Sequence, residues 1–182
     1  MLLIFNYYIY NILQYILLLI FKIMQRFKIT REGYNKLKAE LDNLIHVERP
    51  NISKAIGEAI QLGDLSENAE YHYSKDRQRV VEGMITTLSE KISNADIVDI
   101  SKLSGDIIDF GATVILIDED TEKEVKYTLL SEIEADLSKN IISVSSPIGK
   151  ALMGKKVGDF IEIQIPSGIR NFEVLNLEWG IK

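Results

Sequence analysis

Between Thr30 and Asn94 the chain carries two apolar stripes at helical spacing, interrupted around Gly63, and this constrains the fold more than any other feature. Thr30 is a natural N-cap before Arg31 and Glu32. Leu37, Leu41 and Leu44 follow at three- and four-residue intervals, and Ile52, Ile56 and Ala59 continue in nearly the same phase beyond Pro50. Pro50 is expected to kink or locally break this helix without ending it. Gly63 is a natural terminator. A second run is expected from about Leu65 to Asn94, with Ala69 and Tyr73 opening its stripe and Val81, Met84, Leu88 and Ile92 closing it. Two helices joined by so few residues lie antiparallel. The expectation is a coiled-coil hairpin over residues 24–94, roughly 40 to 50 Å long at 1.5 Å per residue. Its base should pack best, and its tip, Ile60 to His72, should be exposed and polar.

After Asn94 the period shortens. Ala112–Asp118, Glu124–Leu130, Ile141–Ser145, Phe160–Pro166 and Arg170–Trp179 read as strands separated by turn signals such as Asp118-Glu119-Asp120 and Pro166-Ser167-Gly168. Ser146-Pro147 opens a short helix that stops at Gly154, with Ser as N-cap and Pro in the first turn. Residues 95–182 are therefore expected to form a compact α+β domain of antiparallel strands around one short helix.

The first stretch departs from the rest. Residues 1–23 use only Met, Leu, Ile, Phe, Asn, Tyr, Gln and Lys, and Leu2 to Phe21 is uncharged and about long enough to cross a bilayer. A secretory signal is disfavoured, since no basic residue precedes the apolar run and no small-residue cleavage site follows it. A signal anchor would place Lys22, Arg26 and Lys28 on the cytoplasmic side. The preferred reading is translated AT-rich leader with Met24 as the true start, leaving a cytoplasmic body without membrane attachment.

Composition narrows the function classes. The 182 residues carry 21 Lys and Arg against 27 Asp and Glu, for a net charge of −6. A protein gripping nucleic acid chiefly through phosphates needs the opposite surplus, so contact with nucleic acid is expected to be indirect or confined to a patch. The absence of cysteine excludes disulfides and thiolate metal sites. His46 and His72 have no partners at ligand spacing, and Lys75, Arg77 and Arg79 read first as a solvated face, with contact to RNA or a protein partner as the alternative.

The candidate chemistry lies in Gly63-Asp64-Leu65-Ser66-Glu67-Asn68-Ala69-Glu70-Tyr71-His72. Asp64 and Glu67, three apart at an expected helix start, can point the same way. Paired carboxylates are hard oxygen ligands suited to Mg²⁺, which takes one or two protein carboxylates and completes its shell with water and phosphate oxygens. Asp-x-x-Glu at a helix start is equally a capping arrangement, and taken alone these residues favour that plainer role.

The tip string, preceded by Arg49-Pro50 and Ala55-Ile56-Gly57-Glu58-Ala59, resembles that of the bacterial Gre transcript-cleavage factors. Phe110-Gly111-Ala112-Thr113-Val114, the run from Ile142 to Leu152 and Gly154-Lys155 are similar to the same family, and the acidic balance looks more like its GreA type. The resemblance covers about Met24 to the C-terminus. It implies a coiled coil followed by an FKBP-like domain that docks on RNA polymerase. The hairpin would enter the secondary channel and stimulate cleavage of the 3′ end of backtracked RNA, meeting nascent RNA and template DNA only through the elongation complex. It implies that Asp64 and Glu67 are the catalytic pair and share an Mg²⁺ ion with the polymerase active site, neither holding it tightly alone. Asn68, Glu70 and Tyr71 match the pair's surroundings. The chain would then be no enzyme by itself.

Two rivals stand beside this. A non-cleaving regulator in the same channel would lack the acidic pair. A peptidyl-prolyl isomerase would rest on the FKBP-like fold alone, which is weak support.

Overall fold

The computed structural model describes residues 12–14, 26–63, 67–119, 121–165 and 168–180. Most of the leader lies outside the described residues. Among those that are described, no helix is long and apolar enough to cross a membrane. The chain divides into two compact units, one holding Tyr34–Ala95 and the other holding Phe27–Gly33 together with the chain from Asp96 onward.

In the first unit the backbone stays helical from Arg31 to Gln61. Helix α1 (Arg31–Asn43) passes through a π-helical stretch (Leu44–Glu48) into α2 (Arg49–Gln61). Glu48 and Arg49 keep right-handed helical angles, so Pro50 does not break the run. The π turn ends two residues before Pro50, which therefore occupies the first turn of α2, where a missing N–H costs least. Helix α3 (Ala69–Asn94) packs on α2. The pairs Ala59–Asn68, Glu48–Arg77 and Arg49–Glu82 descend one helix as they ascend the other, so the two run antiparallel.

The buried stripe of α3 is Ser74, Val81, Ile85 and Leu88, against Leu44, Ile52 and Ala59 on the other limb. Val81 and Leu88 are buried as expected, and the expected stripe is corrected at Tyr73 and Met84. Tyr73 and Met84 are 65% and 50% exposed, because the seven-residue spacing of Ser74, Val81 and Leu88 selects the neighbouring face. Helix α3 also begins at Ala69 and not near Leu65.

The second unit has a two-stranded sheet of β1 (Phe27–Ile29) and β2 (Ala95–Ile97) and a five-stranded sheet ordered β5-β4-β3-β7-β6. Its strands are β3 (Ala112–Asp118), β4 (Glu124–Leu130), β5 (Ile141–Ser143), β6 (Phe160–Ile165) and β7 (Gly168–Trp179). Strand β3 is central, which explains its nearly continuous apolar run: Val114 and Leu116 are fully buried. On edge strand β6, buried Ile161 and Ile163 alternate with exposed Glu162 and Gln164. Helix α4 (Pro147–Leu152) is capped by Ser146, whose hydroxyl accepts the Gly149 N–H, and buries Leu152 in the core beside Val174 and Phe172.

Two expectations are corrected here. The sheet is mixed, because β5 runs parallel to β4 after residues 131–140 carry the chain back along the edge. The segment Phe27–Gly33, assigned by sequence to the hairpin, belongs with the β-rich unit. Strand β1 pairs with β2, the Val98 N–H donates to the Ile29 carbonyl at 2.9 Å, and Glu134 accepts from Thr30.

Candidate functional site

The candidate site is the turn between α2 and α3. Helix α2 ends at Gln61 with Leu62 as its C-cap, and Gly63 follows with φ +78°, a left-handed conformation that favours glycine, its N–H donating to the Ile60 carbonyl at 3.2 Å. Asp64, with Leu65 and Ser66, lies outside the described residues, so the expected pairing of Asp64 with Glu67 is not described either. Glu67 is exposed and stands one residue before the N-cap of α3, outside the helix.

The cap is Asn68. It has extended backbone angles, and its Oδ1 accepts the Tyr71 N–H at 3.1 Å. Its Nδ2 donates to the Ala59 carbonyl at 3.2 Å, across the hairpin. Capping was attributed in sequence to an acidic pair; at Glu67 that attribution is corrected, since the amide next door performs it. The signal was present as an Asn followed by a helical stripe, but the preceding Asp and Glu masked it.

The surroundings differ from the expected polar tip. Ile60 and Leu62 are 50% and 75% exposed, so the last turn of α2 presents apolar surface. The flanks are held by ion pairs. Arg49 forks onto Glu82 through Nε at 2.7 Å and a second, shorter contact, and Arg77 reaches Glu48 at 2.6 Å. The bond to Glu82 raises the Arg49 guanidinium above its ordinary value, and Glu48, then Tyr73, do the same for Arg77. Arg79 pairs with Asp76 at 2.5 Å and Lys75 with Gln78 at 2.8 Å. The basic cluster is thus satisfied within the chain, in keeping with a solvated face. His72 stands edge-on to Tyr71, with ring centroids 5.6 Å apart, and His46 Nδ1 lies 3.0 Å from the Asp42 carbonyl oxygen. Among the described residues no three acidic or histidine side chains gather as a metal site.

In the β-rich unit a hollow of about 600 Å³ is lined by Leu103, Ile107, Phe110, Met153 and Trp179, and the indole N–H of Trp179 donates to the Gly105 carbonyl at 2.7 Å. Sequence showed no such aromatic grouping, because Phe110 and Trp179 meet only through the sheet.

Both units have known counterparts. The family model for the N-terminal part of a transcription elongation factor matches residues 27–97, and that for the GreA/GreB C-terminal part matches residues 103–178. The chain is 52% identical over 154 residues to transcription elongation factor GreA of Rickettsia prowazekii (strain Madrid E), covering 85% of this chain and 95% of that protein. It is 48% identical over 156 residues to GreA of Phenylobacterium zucineum (strain HLK1), covering 86% and 99%. Among solved structures, GreA factor homolog 1 of Thermus thermophilus shares 28% identity over 84% of this chain and 99% of its own, with a TM-score of 0.39.

Proposed function

Because the chain belongs to the GreA/GreB family of transcription elongation factors, and within it to the GreA type, we propose that it binds RNA polymerase and stimulates cleavage of backtracked RNA with the turn between α2 and α3. The observation that supports this most directly is at Glu67. Its carboxylate is exposed at the end of a braced hairpin, while capping, a structural reason to keep an acid there, is met by Asn68.

The donor types fit Mg²⁺: hard carboxylate oxygens on residues three apart suit an ion that takes one or two protein carboxylates and fills its shell elsewhere. Asp64 and Glu67 would hold it jointly with polymerase groups. When bound, such an ion supplies a more acidic water and charge neutralisation at a phosphodiester. Glu67 contributes negative charge and a hydrogen-bond acceptor able to orient that water. Arg49, Glu82, Glu48 and Arg77 brace the hairpin behind it. Polymerase docking is assigned to the β-rich unit, with RNA and DNA met only within the elongation complex.

The test is RNA cleavage in a purified backtracked complex at saturating factor, beside a polymerase-binding assay and thermal melting. Asp64→Asn and Glu67→Gln remove charge and nearly keep shape. Binding should persist while cleavage stimulation falls about a hundredfold or more, the usual cost of losing a positioned electrostatic group. Raised Mg²⁺ should partly restore each single variant. A double variant that cleaves like the parent protein would sink the proposal and leave a non-cleaving regulator.

A further inference from the structure

The turn between α2 and α3 joins two helix ends, each of which leaves backbone groups without helical partners. At the end of α2 the Ala59 carbonyl is one such acceptor; at the start of α3 the Tyr71 N–H is one such donor. One side chain serves both. Asn68 Nδ2 donates to Ala59 at 3.2 Å, and Oδ1 accepts from Tyr71 at 3.1 Å. An uncharged primary amide is suited to this, because it presents a donor and an acceptor on separate atoms. Aspartate has no donor, and a serine hydroxyl caps from one atom without reaching across. Ala59 is 2% exposed, and its small side chain leaves room for the amide to approach.

Asn68 is also the covalent neighbour of Glu67. Its two bonds fix the peptide that carries Glu67 relative to the end of α2, while Gly63 is held to the same last turn through the Ile60 carbonyl. Both described ends of the connection, Gly63 and Asn68, are therefore tied to the last turn of α2.

We infer that Asn68 is a positioning residue: by bridging the Ala59 carbonyl and the Tyr71 N–H it sets where the Glu67 carboxylate is presented. This rests on the cleavage reading above. Asn68 touches no substrate in this role and acts through Glu67.

Asn68→Ser separates the two bonds, because serine is a good N-cap but loses the link to Ala59. In full-length Asn68→Ser, protection of the Tyr71 amide against hydrogen exchange should be retained, whereas Asn68→Ala should lose it. Polymerase binding should be unchanged in Asn68→Ser, and cleavage at saturating factor should fall by about tenfold to a hundredfold, the scale set by small misplacements of a reacting group. The deciding readout is the Glu67→Gln background. There Asn68→Ser should add no further loss, since the carboxylate it positions is gone. Losses that multiply would show that Asn68 acts independently of Glu67 and would overturn the inference. Wild-type cleavage by Asn68→Ser beside a defective Glu67→Gln would also overturn it while leaving the cleavage reading intact. Wild-type cleavage by Glu67→Gln itself would remove the cleavage reading and this inference together.

Discussion

Replacing Gly33 by alanine should destabilise the β-rich unit, yet the same replacement should stabilise it once Glu134 is gone. Gly33 lies in the first turn of α1, buried, with its N–H donating to the Thr30 hydroxyl at 3.0 Å. A Cβ placed there would fall 2.5 Å from Cδ and Oε1 of Glu134. That carboxylate accepts from the Thr30 hydroxyl and, at 2.6 Å, from the Ser131 hydroxyl. Thr30 and Ser131 are only 7% and 4% exposed.

The flexible Glu134 end would swing aside, so the cost is its hydrogen bonds and not a backbone clash. Bonds to a charged group contribute about 1.5–3 kcal/mol each, and water regained by the displaced carboxylate offsets part of that, leaving about 3 kcal/mol lost. Alanine is favoured over glycine in a helix by up to about 1 kcal/mol, so Gly33→Ala should cost about 2 kcal/mol net. In a Glu134→Ala background the clash is absent and only the helical gain remains. The predicted coupling is then about 3 kcal/mol, with a change of sign. Urea unfolding followed by fluorescence of Trp179, the sole tryptophan and a member of the same unit, measures all four corners of the cycle. A Gly33→Ala penalty that persists unchanged without Glu134 would refute the argument.

Two further outcomes are checked by the same unfolding assay. Gly149→Ala would put a Cβ 2.1 Å from the Ser143 carbonyl oxygen, a backbone atom that cannot swing away, so a loss of about 3 kcal/mol is expected, the upper end for overpacking. Lys28→Met should cost under about 1 kcal/mol near neutral pH, since Lys28 and its partner Asp109 are about half exposed, 2.8 Å apart. That cost should vanish in acid: burial pushes the Asp109 carboxyl up, but hydrogen bonds from Lys28 and the Phe110 N–H outweigh it and hold it below the ordinary carboxylate value. A depressed folded value stabilises above the unfolded pKa and ceases to do so as pH falls through the folded one, so the two proteins should converge there.

Local pattern made some elements legible and left others hidden. Strands β3 and β4 match the expected β-rich runs residue for residue, Thr30 caps α1, and Ser146-Pro147 opens α4, because each is specified by side chains within a few positions of one another. Strands β1 and β2 were missed: each is three residues long and is defined only by a partner far away in sequence. In α3, Val81 and Leu88 were legible as core, but Tyr73 and Met84 were misplaced by one position, because a large apolar side chain draws the stripe toward itself and only packing on α2 selects Ser74 and Ile85 instead. The ion pair of exposed Arg170 with buried Asp118, at 2.7 Å, was invisible for the same reason as β1: antiparallel pairing of β3 and β7 brings those ends together. At the tip the sequence suggests an acidic pair by residue type alone, whereas the bridging role of the Asn68 amide was not legible, because a double hydrogen bond across a hairpin has no sequence spacing.

The charges of the hairpin bear on why its chemistry should need a second protein. Arg49, Arg77 and Arg79 are each paired with a carboxylate of the hairpin, and Lys75 with an amide, whereas among the described residues none pairs with Glu67. In water an isolated exposed carboxylate gains little from a cation a few ångströms away, about 1 kcal/mol at 4 Å, because solvent screens the pair. In a protein channel with an effective dielectric near 20 the same pair is worth about 4 kcal/mol. An exposed carboxylate on a braced hairpin, without an ion-pair partner among the described residues, is therefore weak where it stands in solution and strong once enclosed beside a cation. On the proposed reading the hairpin carries a charge whose effect appears only inside the polymerase, which is why activity belongs to the complex and not to the factor.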